Sequence, residues 1–282
     1  MDILFNKKFF KHNPFGDTDG TYRIQDFNRW EKDTEIDGEQ FVTLVHSEKY
    51  KEFFKKSCKH QGIMAEVMVS PETYEAACLA VGLAIHASEN NAFAVVRPPG
   101  HHARQDRAAG FCFFNNIAIA TQKLVNEGKK VFILDIDGHH GDGTQSIFYS
   151  SSNVLFCSVH QVFTYPMSGF ENETGEGEGK GYTMNFPLLA GNGDKELLES
   201  VGKAILRAEQ FNPDIVGVSA GFDGYEKDML LNLNYTLKGY YDVGFRLSRK
   251  FKNIFAVLEG GYHRDIRQCI EHFVDGAEKG KS

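Results

Sequence analysis

The order of apolar segments along this chain predicts an α/β fold: one mostly parallel sheet with helices on both faces. Three observations carry the prediction. Five short stretches are apolar at every position, helical periodicity fills the intervals between them, and each apolar run breaks at once into a polar, glycine-rich cluster. Strands covered on both faces read as continuous apolar runs rather than as alternation, and strand–helix alternation is the pattern of a doubly wound sheet.

The strand candidates are 92–96, 131–134, 154–156, 215–218 and 254–258. A first helix is expected over Glu72–Glu89. A second is expected over Asn115–Glu127, closed by Gly128 just past its end, where a left-handed residue is favoured. A third, Asp194–Phe211, puts Leu197, Leu198, Val201, Ile205 and Ala208 on one stripe, with Asp194 in the capping position. Tyr235–Lys250 and His263–Lys279 complete the set. No repeat and no Pro/Ser linker divides the 282 residues, so a single domain over 1–282 is expected.

Bulk properties narrow the function classes. A net charge of −7 argues against a general nucleic-acid binder, which is basic, and is compatible with a cationic substrate. No run approaches the ~18 apolar residues of a membrane span. The start, MDILFNKKFF, has too few apolar residues for a signal peptide and carries two lysines. Five cysteines without CxxC spacing suit free thiols in a reducing cytoplasm.

The clusters after the runs are RPPGHH, DIDGHHGDG, SVHQ, SAGFDG and LEGGYH. In open α/β sheets the ligand site lies at the carboxyl ends of the strands, so five such clusters should converge. Ordinary turns favour Gly and Asp but have no reason to collect paired histidines.

Asp135, Asp137 and His139 alternate as a strand runs out, which sends all three side chains to one side. Asp223, after another run, offers a further carboxylate. Carboxylate and imidazole ligands suit zinc, and three protein ligands leave a fourth position open. An isolated DxH is more often a helix-capping Asp and a surface His; the convergent clusters reverse those odds. His101 and His102 follow the stiff Pro98-Pro99-Gly100 turn. Imidazole can act as both base and acid near neutral pH, and Asp135 and Asp142 are carboxylates available to set its tautomer. Tyr262 follows Gly260-Gly261, whose freedom could bring its phenol to a developing oxyanion. By itself such a Tyr is more often a packed aromatic.

The compound motifs RPPGHHA (97–103), GFCFFNN (110–116), DIDGHHGDGT (135–144), GFD (221–223) and LEGGY (258–262), with VHSEKY (45–50) upstream, resemble the zinc-dependent histone deacetylase superfamily. The LEGGY form is similar to its class II and bacterial acetylpolyamine amidohydrolase branches. The likeness runs from about residue 41 to 265, in the family's order.

The resemblance implies an arginase-like fold and a deacetylase acting on an acetylated polyamine or lysine. It implies one zinc on Asp137, His139 and Asp223. His102 would be the base and acid, steered by Asp142, with His101 paired to Asp135 and Tyr262 polarising the carbonyl. Phe111 and Tyr165 would wall a tunnel, as would Leu230, which stands where a polyamine-selective relative carries glutamate and protein deacetylases carry leucine. Potassium would use Asp135, Asp137 and Ser158 with the main chain of His139 and Val159.

Two departures stand out. The stretch from His12 to Arg23 differs from the family's early rim loop, and the C-terminus is short. The acidic, glycine-rich stretch Glu171–Gly181 follows Tyr165, and Glu171, Glu173, Glu176 and Glu178 could attract polycations to the rim; the commoner meaning of such a run is a solvated loop. Two rival functions remain: a module that binds an acetylated ligand without turnover, and an arginase-like two-metal hydrolase, which needs more bridging carboxylates.

Overall fold

The computed structural model describes residues 1–12, 18–30 and 36–281. Seven strands form one sheet: β1 (Ile3–Phe5), β4 (Phe93–Val95), β5 (Val131–Asp135), β6 (Val154–Gln161), β7 (Thr183–Leu188), β8 (Ile215–Ala220) and β9 (Ile254–Leu258). Every pairing is parallel, in the order β1-β4-β9-β8-β5-β6-β7. All five expected strands are present. Those of the centre are buried at every position, as continuous apolar runs require. A two-stranded hairpin, β2 (Ile63–Met64) with β3 (Val67–Met68), stands apart.

Helices α1 (Glu48–Lys59), α2 (Pro71–Asn90) and α3 (Asn116–Asn126) pack together on the sheet. The short α4 (Asp142–Phe148) follows β5, and α5 (Asp194–Phe211), α6 (Leu237–Ser248) and α7 (Ile266–Gly280) form the other layer. One hydrophobic core runs through both layers and the sheet. No helix among the described residues is long and apolar enough to cross a membrane. All five cysteines are free and buried.

The helix boundaries differ from expectation in instructive ways. Asp194 is not a cap: Gly193 holds that position, while both oxygens of Asp194 accept from Thr236, at 2.8 Å from its amide and 2.6 Å from its hydroxyl. Thr236 in turn caps α6, so Tyr235 lies outside that helix. His263 lies outside α7, in the turn that leads to it. Gly128 does take a left-handed conformation, at φ +84°, just past α3. Further elements were not foreseen, the short α4 among them. β1 and β7 are short or interrupted by polar residues, α1 is strongly charged, and the hairpin turns on Ala65 and Glu66 at φ +49° and +67°, without the Asn or Gly that signals such a turn.

The topology sets the site. From β5 the chain moves one way to β6 and β7; from β8 it moves the other way to β9. β5 and β8 are neighbours, so the crevice beyond their carboxyl ends is the switch point where α/β sheets bind ligands.

Candidate active site

Segments leaving five strands meet at that crevice. Beyond β5 come Asp137 and His139; beyond β8 comes Asp223. One atom from each lies within 4.8 Å of the others, and among the described residues this is the one group of three such side chains able to hold a metal. His139 Nδ1 is 2.6 Å from Asp223 Oδ2 and 3.4 Å from Asp137 Oδ1. The carboxylates are fixed by main-chain donors: Gly138 N to Asp223 Oδ1 at 2.6 Å, Gly260 N to Asp137 Oδ2 at 2.7 Å and His139 N to Asp137 Oδ1 at 2.8 Å. Gly221 and Gly260 have to be glycines, because a Cβ would come within 1.9 Å and 2.6 Å of Asp137 Oδ2.

Both carboxylates are fully buried, and the ion pairs they form among the described residues are with histidines. Burial pushes Asp223 up to about 7, helped by the neighbouring Asp137. Burial alone would lower His139, but Asp223 and Asp137 override it and raise the ring to about 10. A buried cluster that draws in protons to balance its charge is one that a divalent cation suits. The donor set of two carboxylates and one imidazole therefore fits zinc.

Beyond β4, the rings of His101 and His102 pack against each other with centroids 4.1 Å apart and planes tilted by 46°. His101 Nδ1 is 3.0 Å from Asp135 Oδ2, and His102 Nδ1 is 2.9 Å from Asp142 Oδ1. Burial and the adjacent His101 lower His102 to about 3, against the pull of Asp142. Asp142 opens α4, and Gly143 beside it lets the helix approach the backbone of His102 and Ala103, where a Cβ would meet carbon at 2.5 Å.

Beyond β9 the segment 259–262 turns through Gly261 at φ +115° and carries Tyr262 into the site. Its ring meets Phe111 edge-on at 5.9 Å, and burial raises its phenol well above the usual range. Tyr165 packs edge-on against His102 at 5.0 Å. A cavity of about 220 Å³ opens over these groups, lined by His102, His139, Tyr262, Phe111, Tyr165 and Leu230, with Gly110 and Glu66. All the side chains expected to supply base, phenol and walls thus border one space. Asp135 on β5 lies opposite Ser158 on β6, whose hydroxyl is 2.9 Å from His160 Nδ1; Val159 is the next residue of β6.

Several residues were not foreseen. Glu66, at the turn of the β2–β3 hairpin, lines the cavity and accepts from Gly110 N at 2.8 Å. Arg104 donates to Asp142 Oδ2 from Nε at 3.0 Å and Nη2 at 2.8 Å. The buried Glu259 accepts from the amides of Gly100 and His101 at 2.7 and 3.0 Å. Arg23 donates to the carbonyls of Glu259 and Gly261 at 2.5 and 2.6 Å, with its guanidinium 4.9 Å over the Tyr262 ring. Arg23 belongs to the early stretch that departs from the family pattern; within that stretch Asn13–Asp17 lie outside the described residues. Of these only Glu259 had a signal in the sequence, its place inside LEGGY; Arg104 stands one residue past RPPGHHA.

The acidic stretch contributes no residue to the lining of the cavity. Glu173 accepts from the amides of Gly169 and Phe170, both at 2.9 Å, and from Gln145 Nε2 at 2.6 Å. Glu176 accepts from Ser150 Oγ at 3.0 Å, and none of the four glutamates lines the cavity. Glu173 thus ties the loop to itself and to α4, and Glu176 ties it to the segment after α4.

The histone deacetylase domain family matches residues 21–277. A probable deacetylase of Archaeoglobus fulgidus is 40% identical over 236 residues, covering 78% of this chain and 66% of that protein. An acetylpolyamine amidohydrolase of Burkholderia pseudomallei is 41% identical over 188 residues, covering 66% of this chain and 55% of that protein. Each alignment thus spans less than two thirds of the relative's own length. The crystal structure of an acetylpolyamine aminohydrolase from Burkholderia pseudomallei superimposes with a TM-score of 0.89 at 27% identity, covering 99% of this chain and 98% of that one. Sequence match over most of the chain, shared fold and the grouping of these motifs at one crevice agree: the chain belongs to the histone deacetylase family.

Proposed function

We propose that this chain hydrolyses the amide of an N-acetylated amine, a polyamine or a lysine side chain. One observation carries the reading: His102, His139 and Tyr262 border the same small cavity, whose walls are Phe111, Tyr165 and Leu230. Aromatic and aliphatic walls suit a methylene chain, and the polar groups His102, His139 and Tyr262 suit an amide at its end.

Asp137, His139 and Asp223 would hold zinc. When bound there, zinc acts as a Lewis acid toward a carbonyl and lowers the pKa of a coordinated water. Asp135, Asp137 and Ser158, with the main chain of His139 and Val159, would hold potassium.

The chain's own side chains supply the rest. Asp142 accepts the Nδ1 proton of His102, which leaves Nε2 as the nitrogen with a lone pair for the cavity. A neutral His102 can take a proton from the attacking water and give it to the leaving amine. His101, held by Asp135, packs behind it and limits its tilt. Tyr262 keeps its proton at any ordinary pH, so its O–H can donate a hydrogen bond to the carbonyl oxygen as charge develops. Glu66 gives the cavity its one carboxylate outside the floor, which favours a substrate with a second, cationic nitrogen over a neutral one.

Turnover of acetylpolyamines and acetyl-lysine peptides by the zinc-loaded protein tests this. Tyr262→Phe should keep its zinc and lose roughly 10²–10³-fold in kcat. A parental rate would make the phenol a packing residue. No hydrolysis of any acylated amine at full metal occupancy would leave a binding module, and two divalent transition-metal ions per chain would favour the arginase-like alternative.

A further inference from the structure

The segment that presents Tyr262 has little side-chain bulk to hold it, since two of its residues are Gly260 and Gly261. Hydrogen bonds hold it instead. Asp137 takes the Gly260 amide, and Arg23 takes the carbonyls on either side. The last anchor is Asp228, in the loop after β8: its Oδ2 accepts from Tyr262 N at 2.6 Å. The other oxygen of the same carboxylate, Oδ1, accepts from Leu230 N at 2.8 Å. Asp228 is itself fixed through its amide, 2.8 Å from Tyr225 O.

One carboxylate therefore lies between the backbones of two residues that line the cavity, one carrying the phenol and the other a wall. We infer that Asp228 is a positioning residue that sets Tyr262 and Leu230 as a unit, so that phenol and wall keep one spacing across the cavity. The inference rests on the reading of Tyr262 as the oxyanion donor. Asp is suited to the role because both its oxygens accept, whereas an Asn in its place has a single acceptor for two amides. Short reach matters too, since the Leu230 bond closes over two residues. The same two loops carry a second tie on the surface, Lys227 Nζ to Asp265 Oδ2 at 2.8 Å, which touches neither cavity residue. It separates general loop docking from placement of the phenol.

Asp228→Asn, Asp228→Glu and Lys227→Met are made in the parental chain and in Tyr262→Phe. For each, kcat, KM, zinc content and thermal unfolding are measured with the zinc-loaded protein. Asp228→Asn should retain zinc and lower kcat about tenfold or more in the parental chain. In the Tyr262→Phe background it should change kcat by less than about twofold, because its effect runs through the phenol. Asp228→Glu keeps the charge and both acceptors on a longer arm and should follow the same pattern, which covers the case of an unstable Asn variant. Lys227→Met should leave kcat unchanged. Equal loss in both backgrounds, a parental kcat in Asp228→Asn, or an equal effect of Lys227→Met would overturn the inference. If Tyr262→Phe alone turns over at the parental rate, the role of the phenol has failed, and the positioning role falls with it.

Discussion

The Nδ1 atom of His102 sits 2.9 Å from Oδ1 of Asp142, and this contact leaves Nε2 as the imidazole nitrogen that Asp142 does not engage. Arg104 occupies the second oxygen of the same carboxylate with two donors. Although burial works the other way, His102 and Arg104 hold Asp142 down to about 2. The carboxylate is therefore ionised near neutral pH and can act as a fixed acceptor.

Replacing that acceptor should be costly. An Asn at position 142 can turn its amide N–H toward Nδ1 and so place the ring proton on Nε2. The wrong tautomer in a comparable dyad costs on the order of 10⁴-fold in kcat. Arg104→Met should cost far less, about tenfold, because Asp142 keeps its charge and loses only its orientation. Steady-state rates on one acetylated amine, with zinc content checked, decide this. An Asp142→Asn rate within tenfold of parental would rule out the tautomer argument.

Asp223→Ala should lose zinc and activity together. The replacement leaves Asp137 and His139 in a buried pocket with one donor fewer, below the three of a typical catalytic zinc site. Elemental analysis after dialysis, alongside a circular-dichroism melt, is the check. Full zinc occupancy in a folded Asp223→Ala protein would mean that the ion sits elsewhere.

Charge recognition is expected at Glu66 rather than in the acidic loop. If the cavity attracts a cationic nitrogen, kcat/KM on an acetylated polyamine should fall with salt, since the Debye length shortens to about 8 Å at 0.15 M. Glu66→Gln should lower kcat/KM at low salt and flatten that dependence. Glu173→Gln should leave the salt dependence as it is and lower stability by about 1–3 kcal/mol, because its carboxylate accepts three hydrogen bonds in the loop. The reverse pattern would return the rim role to the acidic stretch.

Two histidines remote from the proposed metal-binding carboxylates, His12 and His46, should each contribute a loss of stability as the solution is acidified below about pH 6.5. Burial lowers His12 to about 3 and His46 to about 4. His46 needs its neutral form: Nδ1 faces the Gln105 carbonyl at 3.0 Å while Nε2 accepts from the Asn115 amide at 2.9 Å. Between the folded and unfolded pKa values the unfolded chain binds more protons. Folding stability is thus fully present above the unfolded value and is lost as pH falls toward the folded one. Each such histidine contributes a slope of up to about 1.4 kcal/mol per pH unit. Urea midpoints from pH 7.5 to 4.5 measure it, and His46→Gln should reduce the slope. A midpoint constant down to pH 5 would show that these rings do not stay neutral.

The sequence alone determined the fold class and most of the site. Strand runs at 131–134 and 254–258 were legible because a strand buried on both faces has to be apolar throughout, a constraint local to the run. Asp137, His139, His102, Asp142 and Tyr262 were legible because each lies a few residues past such a run, where the topology rule puts ligand groups. What the tertiary structure decided were the contacts between segments far apart in the chain. Glu66 reaches the cavity from a hairpin whose turn residues carry no turn signature, and Asp228 meets Tyr262 across 34 residues. The acidic loop shows the same limit from the other side. Its composition suggested a charged rim, yet Glu173 is spent on the amides of its own loop and on Gln145 of α4. Which partner satisfies a polar group depends on which segments the packed sheet brings within 3 Å of it, and spacing along the chain does not encode that distance.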